Sequence, residues 1–379
     1  MYFCERPIYA TLQMLRKRAG DTTRETKPSS HGTRTNSVPS VPTKSSKSKW
    51  IFLLWALIAA TTFIYVIIPA IFYTCPWIQQ STVFLNFVNI PPFPKLKEPE
   101  SYGLGCSHNF YIESEPGVKL GLWHIPPQSA SAKCEEHTDR WLEGKEPVIL
   151  YLHGNGGSRA GGHRIALYKV LSGQLGAHVV AVDYRGYGDS SAKTPTVPAI
   201  VDDAEAVYRW LLRTVPRKRI IVWGHSLGTG VAVYLLERLS AGPQVPAGLV
   251  LEAPFDALSN VAAHHPLSFF HRVMPYFNAV FVDSIKSEAT NFDSIAKVAN
   301  LSQSTPILVL HARDDAMVPF SLGQKLYEAL HASRNQGSAK VKLVLYEEKF
   351  GYGHKHICGD PGLPDLVRQF FNLPFASEV

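Results

Sequence analysis

No charged side chain occurs between Lys49 and Lys95, and Asp, Glu, Lys and Arg together make up only 18% of the 379 residues. A gap of that length excludes an ordinary solvated surface for the segment. Net charge is also missing from the body. Ten Lys and Arg against three Asp and Glu fall within residues 1–49, and the remaining 28 of each sign cancel. The formal charge of +7 therefore belongs to an N-terminal tail, and the body offers no basic field to a phosphate backbone. Nucleic acid is excluded as a partner. Cysteine is sparse, at five. Cys75, Cys106, Cys134 and Cys358 follow the gap's start, widely spaced and without a CxxC or a His partner, which argues against zinc. They permit three full pairings, or none. No GxxxxGK[ST] or GxGxxG is present, so the Gly-rich stretches are not nucleotide cradles. A hydrophobic share of 45% excludes a mainly disordered chain.

Within the gap, Trp50–Phe72 reads WIFLLWALIAATTFIYVIIPAIF. As a helix it extends ~34 Å, enough to span a hydrocarbon core of roughly 30 Å. Pro69 sits in its last turns, where a kink is tolerated, and Trp50, Trp55, Tyr73 and Trp77 suit the two headgroup belts. The 49-residue lead is too long for a cleaved signal peptide, so a retained anchor over 50–72 is expected. Lys44, Lys47 and Lys49 crowd its N-terminal flank, whereas 73–94 is uncharged. The lysine side stays cytosolic, which predicts a cytosolic tail over 1–49, Ser/Thr/Pro/Lys-rich and disordered toward its end, and a body in a lumen. The juxtamembrane stretch 73–99, apolar and aromatic over 77–94, fits either the bilayer surface or the body. Asn300-Leu301-Ser302 is the only glycosylation sequon after the anchor.

From residue 100 to 379 short apolar runs alternate with helical periodicity. Strands are expected at 118–123, 148–152, 179–183, 220–223, 249–252, 307–310 and 341–346. Helices are expected at 163–175, 200–212, 227–239, 322–332 and 363–371. Continuous apolar strands between amphipathic helices predict an α/β fold, a mostly parallel sheet covered on both faces. About 253–304 breaks the alternation and is dense in aromatics, which predicts a helical cap. Its Phe269, Phe270, Met274, Tyr276, Phe277 and Phe281 are candidates for an acyl pocket or cap. His264, His265 and His271 lack the spacing of a metal pair, and no metal or cofactor is implied.

Gly224-His225-Ser226-Leu227-Gly228 is G-x-S-x-G between a strand and a helix. The chemistry requires this setting. A nucleophilic serine must stand exposed in a tight turn, with small residues two positions to either side and a helix-initiating amide aimed at the developing oxyanion. A base and an orienting acid should follow at later strand ends. After 307–310 come Asp314 and Asp315; after 341–346 come His354 and His356. Spacing separates neither pair. Glu252 and Asp256 are weaker positions for the acid. Asp183 and Arg185, in DYRGYGDS, brace a loop rather than react.

The segments HGNGGSRAGGHR (153–164), VDYRGYGDS (182–190), WGHSLGTGVA (223–232), LHARDDAMVPF (310–320) and GYGHKH (351–356) resemble the membrane-anchored alpha/beta-hydrolase-domain family of lysophosphatidylserine and monoacylglycerol lipases. The resemblance covers nearly all of the body. It implies an alpha/beta-hydrolase fold, a triad of Ser226, Asp315 and His354, and an oxyanion hole from the N–H groups of Asn155 and Leu227. Arg159 and His163 become candidates for the substrate headgroup. The implied activity is hydrolysis of the acyl ester of a single-chain lipid at the endoplasmic reticulum membrane, with the bilayer and an amphiphilic lipid as partners. An acyl-protein thioesterase would use the same residues. A non-catalytic membrane-binding protein would have no need of all three.

Overall fold

The computed structural model describes residues 46–129 and 142–373. Two units divide at Val66/Ile67. Helix α1 (Ser46–Thr62) begins with Lys47 and Lys49 and is uncharged from Trp50 on; it passes through a π turn at Phe63–Ile67 and resumes as α2 (Ile68–Thr74). Pro69 explains the wider turn: its ring nitrogen has no hydrogen to donate and crowds the carbonyl one turn back. Ser48–Thr74 is, among the described residues, the one helix long and apolar enough to cross a membrane.

In the second unit α3 (Pro76–Phe84) follows at once, starting on a proline and ending at Leu85 in the left-handed conformation. Strands β1 (His108–Glu115) and β2 (Val118–Ile125) form an antiparallel hairpin. Then come β3 (Val148–Leu152), α4 (Gly162–Lys169), β4 (His178–Asp183), α5 (Val197–Leu211), β5 (Ile220–His225), α6 (Leu227–Leu239) and β6 (Gly248–Glu252). The cap opens with α7 (Leu258–His264), continues through single turns at Asn278–Val282 and Asp283–Ile285, and closes with α8 (Ser294–Lys297). The chain ends through β7 (Ile307–Ala312), α9 (Phe320–Ala332), β8 (Val341–Tyr346) and α10 (Leu363–Phe371).

The eight strands lie in the order β1-β2-β4-β3-β5-β6-β7-β8, parallel from β4 to β8. Alternation along each strand feeds two cores. Val148, Leu150 and Leu152 enter one, with Leu227, Val231 and Leu235 of α6; Ile149 and Tyr151 enter the other, with Tyr168, Leu171 and Val367. Both faces are therefore dry, which is why the strands read as unbroken apolar runs. Every expected strand and helix is present, and β1 is an addition.

The juxtamembrane stretch packs on the body. Phe84 is fully buried and Tyr187 donates to its carbonyl at 2.6 Å, and Phe72, the last residue of the expected anchor, also packs there, 5.0 Å from Phe281 between ring centroids. Cys106 is disulfide-bonded, Cys75 is free and Cys358 is buried, and Cys134 lies outside the described residues. Of the tail expected over 1–49, residues 1–45 with Lys44 lie outside the described residues, and Lys47 and Lys49 fall in the first turn of α1.

Candidate active site

Ser226 joins β5 to α6 with φ 53 and ψ −121, a conformation that turns the chain sharply and leaves the side chain at the top of the sheet. A Cβ on Gly224 would strike the Gly228 carbonyl, and one on Gly228 would strike the Leu152 carbonyl at the end of β3. The spacing of the motif is therefore steric. The Ser226 N–H donates to the Glu252 carbonyl at 2.9 Å, tying the elbow to the next strand.

His354, on the loop after β8, places Nε2 2.9 Å from Ser226 Oγ and Nδ1 2.7 Å from Asp315 Oδ2. Asp315, on the loop after β7, accepts from the amides of Met317 and Val318 through Oδ1, at 2.9 and 2.8 Å. Burial opposes its charge. The hydrogen bonds from His311, His354 and the Val318 amide outweigh burial and hold the carboxyl well below its usual range. An ionised Asp315 accepts only, so His354 carries its proton on Nδ1, and Nε2 is left to accept from the serine hydroxyl. The three side chains form a proton relay in the order serine, histidine, acid.

Geometry also separates the pairs that spacing left open. Asp314 accepts the Gly353 N–H with both oxygens at 3.1 Å and so shapes the loop that carries His354. His356 is exposed. Glu252 is buried beneath the elbow and accepts from Trp223 Nε1 at 2.8 Å, while Asp256 accepts from Ala257 N at 2.7 Å and Asn260 Nδ2 at 2.8 Å at the start of the cap. Neither reaches His354.

Beside Ser226 runs the loop after β3. A Cβ on Gly154 would stand 3.0 Å from the Ser226 Cβ, so this backbone lies directly against the nucleophile. Arg164, buried on α4, organises the loop: it donates to the carbonyls of Ser158 at 2.6 Å, Gly154 at 2.9 Å and Gly156 at 2.8 Å. With the Gly154 and Gly156 carbonyls drawn toward Arg164, the Asn155 amide between them is directed elsewhere. The Leu227 amide opens α6 and has no partner one turn back within the helix. Outside contacts complete the loop's support: Asn155 Nδ2 donates to Val83 O at 2.7 Å and Gly157 N to Val88 O at 2.6 Å.

A profile described as the alpha/beta hydrolase fold matches residues 147–285. Lysophosphatidylserine lipase ABHD12 of Danio rerio is 42% identical over 315 residues, 82% of this chain and 81% of that one. The Rattus norvegicus protein of the same name is 41% identical over 328 residues, 86% of this chain and 81% of its own. The chain belongs to the ABHD12 family of alpha/beta hydrolases. Homo sapiens protein ABHD12B is also similar, 38% identical over 297 residues, 76% of this chain and 79% of its own. Among solved structures, an esterase from Pyrococcus furiosus superposes with a TM-score of 0.55 at 22% identity, covering 75% of this chain and 97% of that one. An alpha-beta hydrolase from Vibrio vulnificus gives 0.58 at 18%, covering 79% and 94%. At those identities they speak to the fold alone.

In this ABHD12-family body two expectations need correction. Arg159 is not available to a headgroup. Its side chain is completely buried, with Nη1 2.5 Å from Asp183 and 2.7 Å from Asp189, and Nη2 donating to Asn109 at 2.7 Å. Two carboxylates in a desolvated site use up its charge, so it joins the loop to the sheet. Phe269 and Phe270 do not line a pocket either. They are 68% and 66% exposed and pair with each other at 5.6 Å, whereas Phe277 is buried and Phe281 packs between Phe277, His271 and Phe72. Met274 and Tyr276 are half-buried.

His163 remains near the relay, its ring 5.4 Å from that of His225. Burial, with Arg164 adding to it, pushes its pKa far down, so it is neutral and supplies no cation. Asp183 and Arg185 brace the loops as expected, Arg185 through Asp203 and Glu115. His225 itself was missed by sequence reasoning. Its Nε2 donates to the His354 carbonyl at 2.9 Å, and burial pushes its pKa down to about 3. The residue between Gly224 and Ser226 in the motif therefore steadies the base.

Proposed function

We propose that this protein is a membrane-anchored serine hydrolase that cleaves the acyl ester of single-chain lipids such as lysophosphatidylserine and monoacylglycerol. The observation that carries the reading is the relay from Asp315 through His354 to Ser226, at 2.7 and 2.9 Å. His354 Nε2 takes the proton as Ser226 Oγ bonds to the ester carbonyl. The amides of Asn155 and Leu227 receive the negative charge that forms on the carbonyl oxygen. His354 then protonates the departing glycerol oxygen, leaving an acyl-serine, and activates a water to release the fatty acid. Asp315 keeps its charge throughout and stabilises the imidazolium. The names carried by the relatives support the choice of lysophosphatidylserine.

The helix over Ser48–Thr74 is taken as the single anchor, with the cytosolic tail ahead of it and the body in the lumen of the endoplasmic reticulum. Asn300 is exposed at the end of a short turn and suits glycosylation there. A fluorophosphonate probe on the membrane fraction, with Ser226→Ala as control, tests the nucleophile. Turnover of lysophosphatidylserine, monoacylglycerol, a dissolved short ester and a palmitoylated peptide then tests the substrate. Labelling that survives the substitution refutes the nucleophile, and highest kcat/KM on the peptide replaces the lipid ester with a thioester.

A further inference from the structure

Two segments bracket the catalytic residues, and both turn large apolar side chains outward. The first is the chain after α3. Leu85, Val88 and Ile90 lie against the loop beside Ser226: Leu85 and Val88 approach Gly156, and the Ile90 carbonyl approaches Gly157. From there Phe87, Ile90 and Phe93 point to solvent, Phe93 with 96% of its surface exposed. The second is the cap. His265 sits within electrostatic reach of His354, and beyond it Phe269, Phe270 and Val273 are exposed, Val273 to 81%. The segments belong to one packed arrangement, since α2 rests on the Asn278–Val282 turn and α3 on Asp283–Ile285.

Six exposed large apolar residues on two segments exceed what a water-facing surface carries without use. Their surroundings identify what covers them. The first segment follows α2 without a single charged residue from Thr74 to Phe93, and α2 is the end of the apolar helix, clamped to the cap through Phe72 and Phe281. A hydrocarbon surface is therefore already adjacent along the chain. Charge returns after the first segment at Lys95 and Lys97, and Arg272 stands within the second, beside the exposed Val273. Apolar side chains interleaved with and followed by cations match the boundary between acyl chains and headgroups.

We propose that these two segments form a bilayer-inserted mouth, and that the lipid passes sideways from the leaflet to Ser226 between Phe87–Phe93 and Phe269–Val273. The route rests on the lipid-ester reading above; the insertion does not. Apolar side chains carry the mouth to the depth of the acyl chains, so a single-chain lipid keeps its tail out of water while its ester reaches the serine. The energetic reason is the roughly 0.8 kcal/mol that each methylene would lose by entering water on the way.

The insertion is tested without substrate. The full chain, with Phe93→Trp or Phe269→Trp, is placed in phosphatidylcholine vesicles brominated on the acyl chains. Wild-type fluorescence is subtracted, and Lys218→Trp at the opposite end of the sheet serves as control. The added indoles at 93 and 269 should be quenched and the one at 218 should not; equal quenching at all three sites overturns the mouth. The route is tested with the triple variant Phe93→Asp, Phe269→Asp, Phe270→Asp. Turnover of vesicle-borne lysophospholipid relative to a dissolved short ester should fall by about tenfold or more. A parallel fall in both, or no change in the ratio, overturns the route. If the wild type cleaves the short ester and no single-chain lipid, the substrate reading fails, while the bromine measurement still decides the insertion.

Discussion

Arg164 never meets substrate, yet its removal should slow the chemistry. Its guanidinium reaches three carbonyls of the loop after β3. Two of them keep another donor when it goes: Gly154 O also faces His153 Nδ1 at 2.7 Å, and Ser158 O accepts from Gly161 N at 2.9 Å. Gly156 O has Arg164 as its one donor among the described contacts. Arg164→Met retains length and apolar volume, so its cost is one orphaned carbonyl, about 1–3 kcal/mol, plus two weakened ones at about 0.5–1 kcal/mol each. That sums to about 2–5 kcal/mol, enough to lower the melting temperature but not to abolish folding of a body this size. The kinetic cost is larger in proportion. If the Asn155 amide drifts off the oxyanion, kcat should fall by about 10²–10³. KM should move little, because the side chain is buried away from the ligand. Arg164→Lys, which preserves the charge and one of the three bonds, should recover part of kcat. The assay is kcat and KM on a dissolved activated ester, beside a thermal melt. A folded Met variant with wild-type kcat would refute this role for Arg164, and an equal loss spread over kcat and KM would point to substrate binding instead.

Three further outcomes follow from other contacts. Asp315→Asn should lower kcat by about 10⁴, because the amide can present its NH₂ to Nδ1 and favour the wrong tautomer, whereas Asp314→Asn loses only the grip on Gly353 and should cost far less; steady-state kinetics on both at matched expression checks the order. Glu252 has a carboxyl pushed by burial from an ordinary 4.5 up to about 7. Between those values the folded state holds a proton that the unfolded chain has released, so this group's penalty is absent below 4.5, grows with pH and is complete above 7. Glu252→Gln should therefore raise the melting temperature at pH 8, by an amount corresponding to about 3 kcal/mol, and change little at pH 4.5; a pH-independent shift would show that burial is not the cause. For the lumenal body proposed above, a C-terminal tag should survive protease in sealed microsomes and disappear when detergent is added, and digestion in intact vesicles would reverse the orientation.

Much of the sheet and the nucleophile were legible because one physical rule generates each signal. Strands dry on both faces, such as VILYL and VVAVD, can only be apolar throughout, and the steric limits at Gly224 and Gly228 print themselves as a motif. β1 escaped because it is an edge strand with half-exposed residues, and HNFYIESE carries no apolar run. Asp314 and Asp315 are one residue apart on a loop, where no periodicity assigns direction; only the turn at Met317–Val318 that grips Asp315 tells them apart. Arg159 was misjudged because its two neutralising carboxylates are distant in sequence, and an arginine in a Gly-rich loop looks solvated until Asp183 and Asp189 are seen beside it. The cap illustrates a further limit. Aromatic density marked the region, but the inward Phe277 and Phe281 and the outward Phe269 and Phe270 carry the same composition.

The contacts from Val83 and Val88 to the oxyanion loop bear on the protein's fate after synthesis. Many single-pass enzymes can be shed: a protease cuts between anchor and body, and an active soluble form escapes. Here the stretch a shedding protease would need is occupied, since Val83 O holds the Asn155 side chain, Val88 O holds the Gly157 amide, and Phe84 is buried in the core. A cut anywhere from Phe84 to Pro94 would free a body whose loop beside Ser226 had lost one or both of these braces. Activity of this kind stays where it is tethered, and a secreted version would have to carry the juxtamembrane residues along with it.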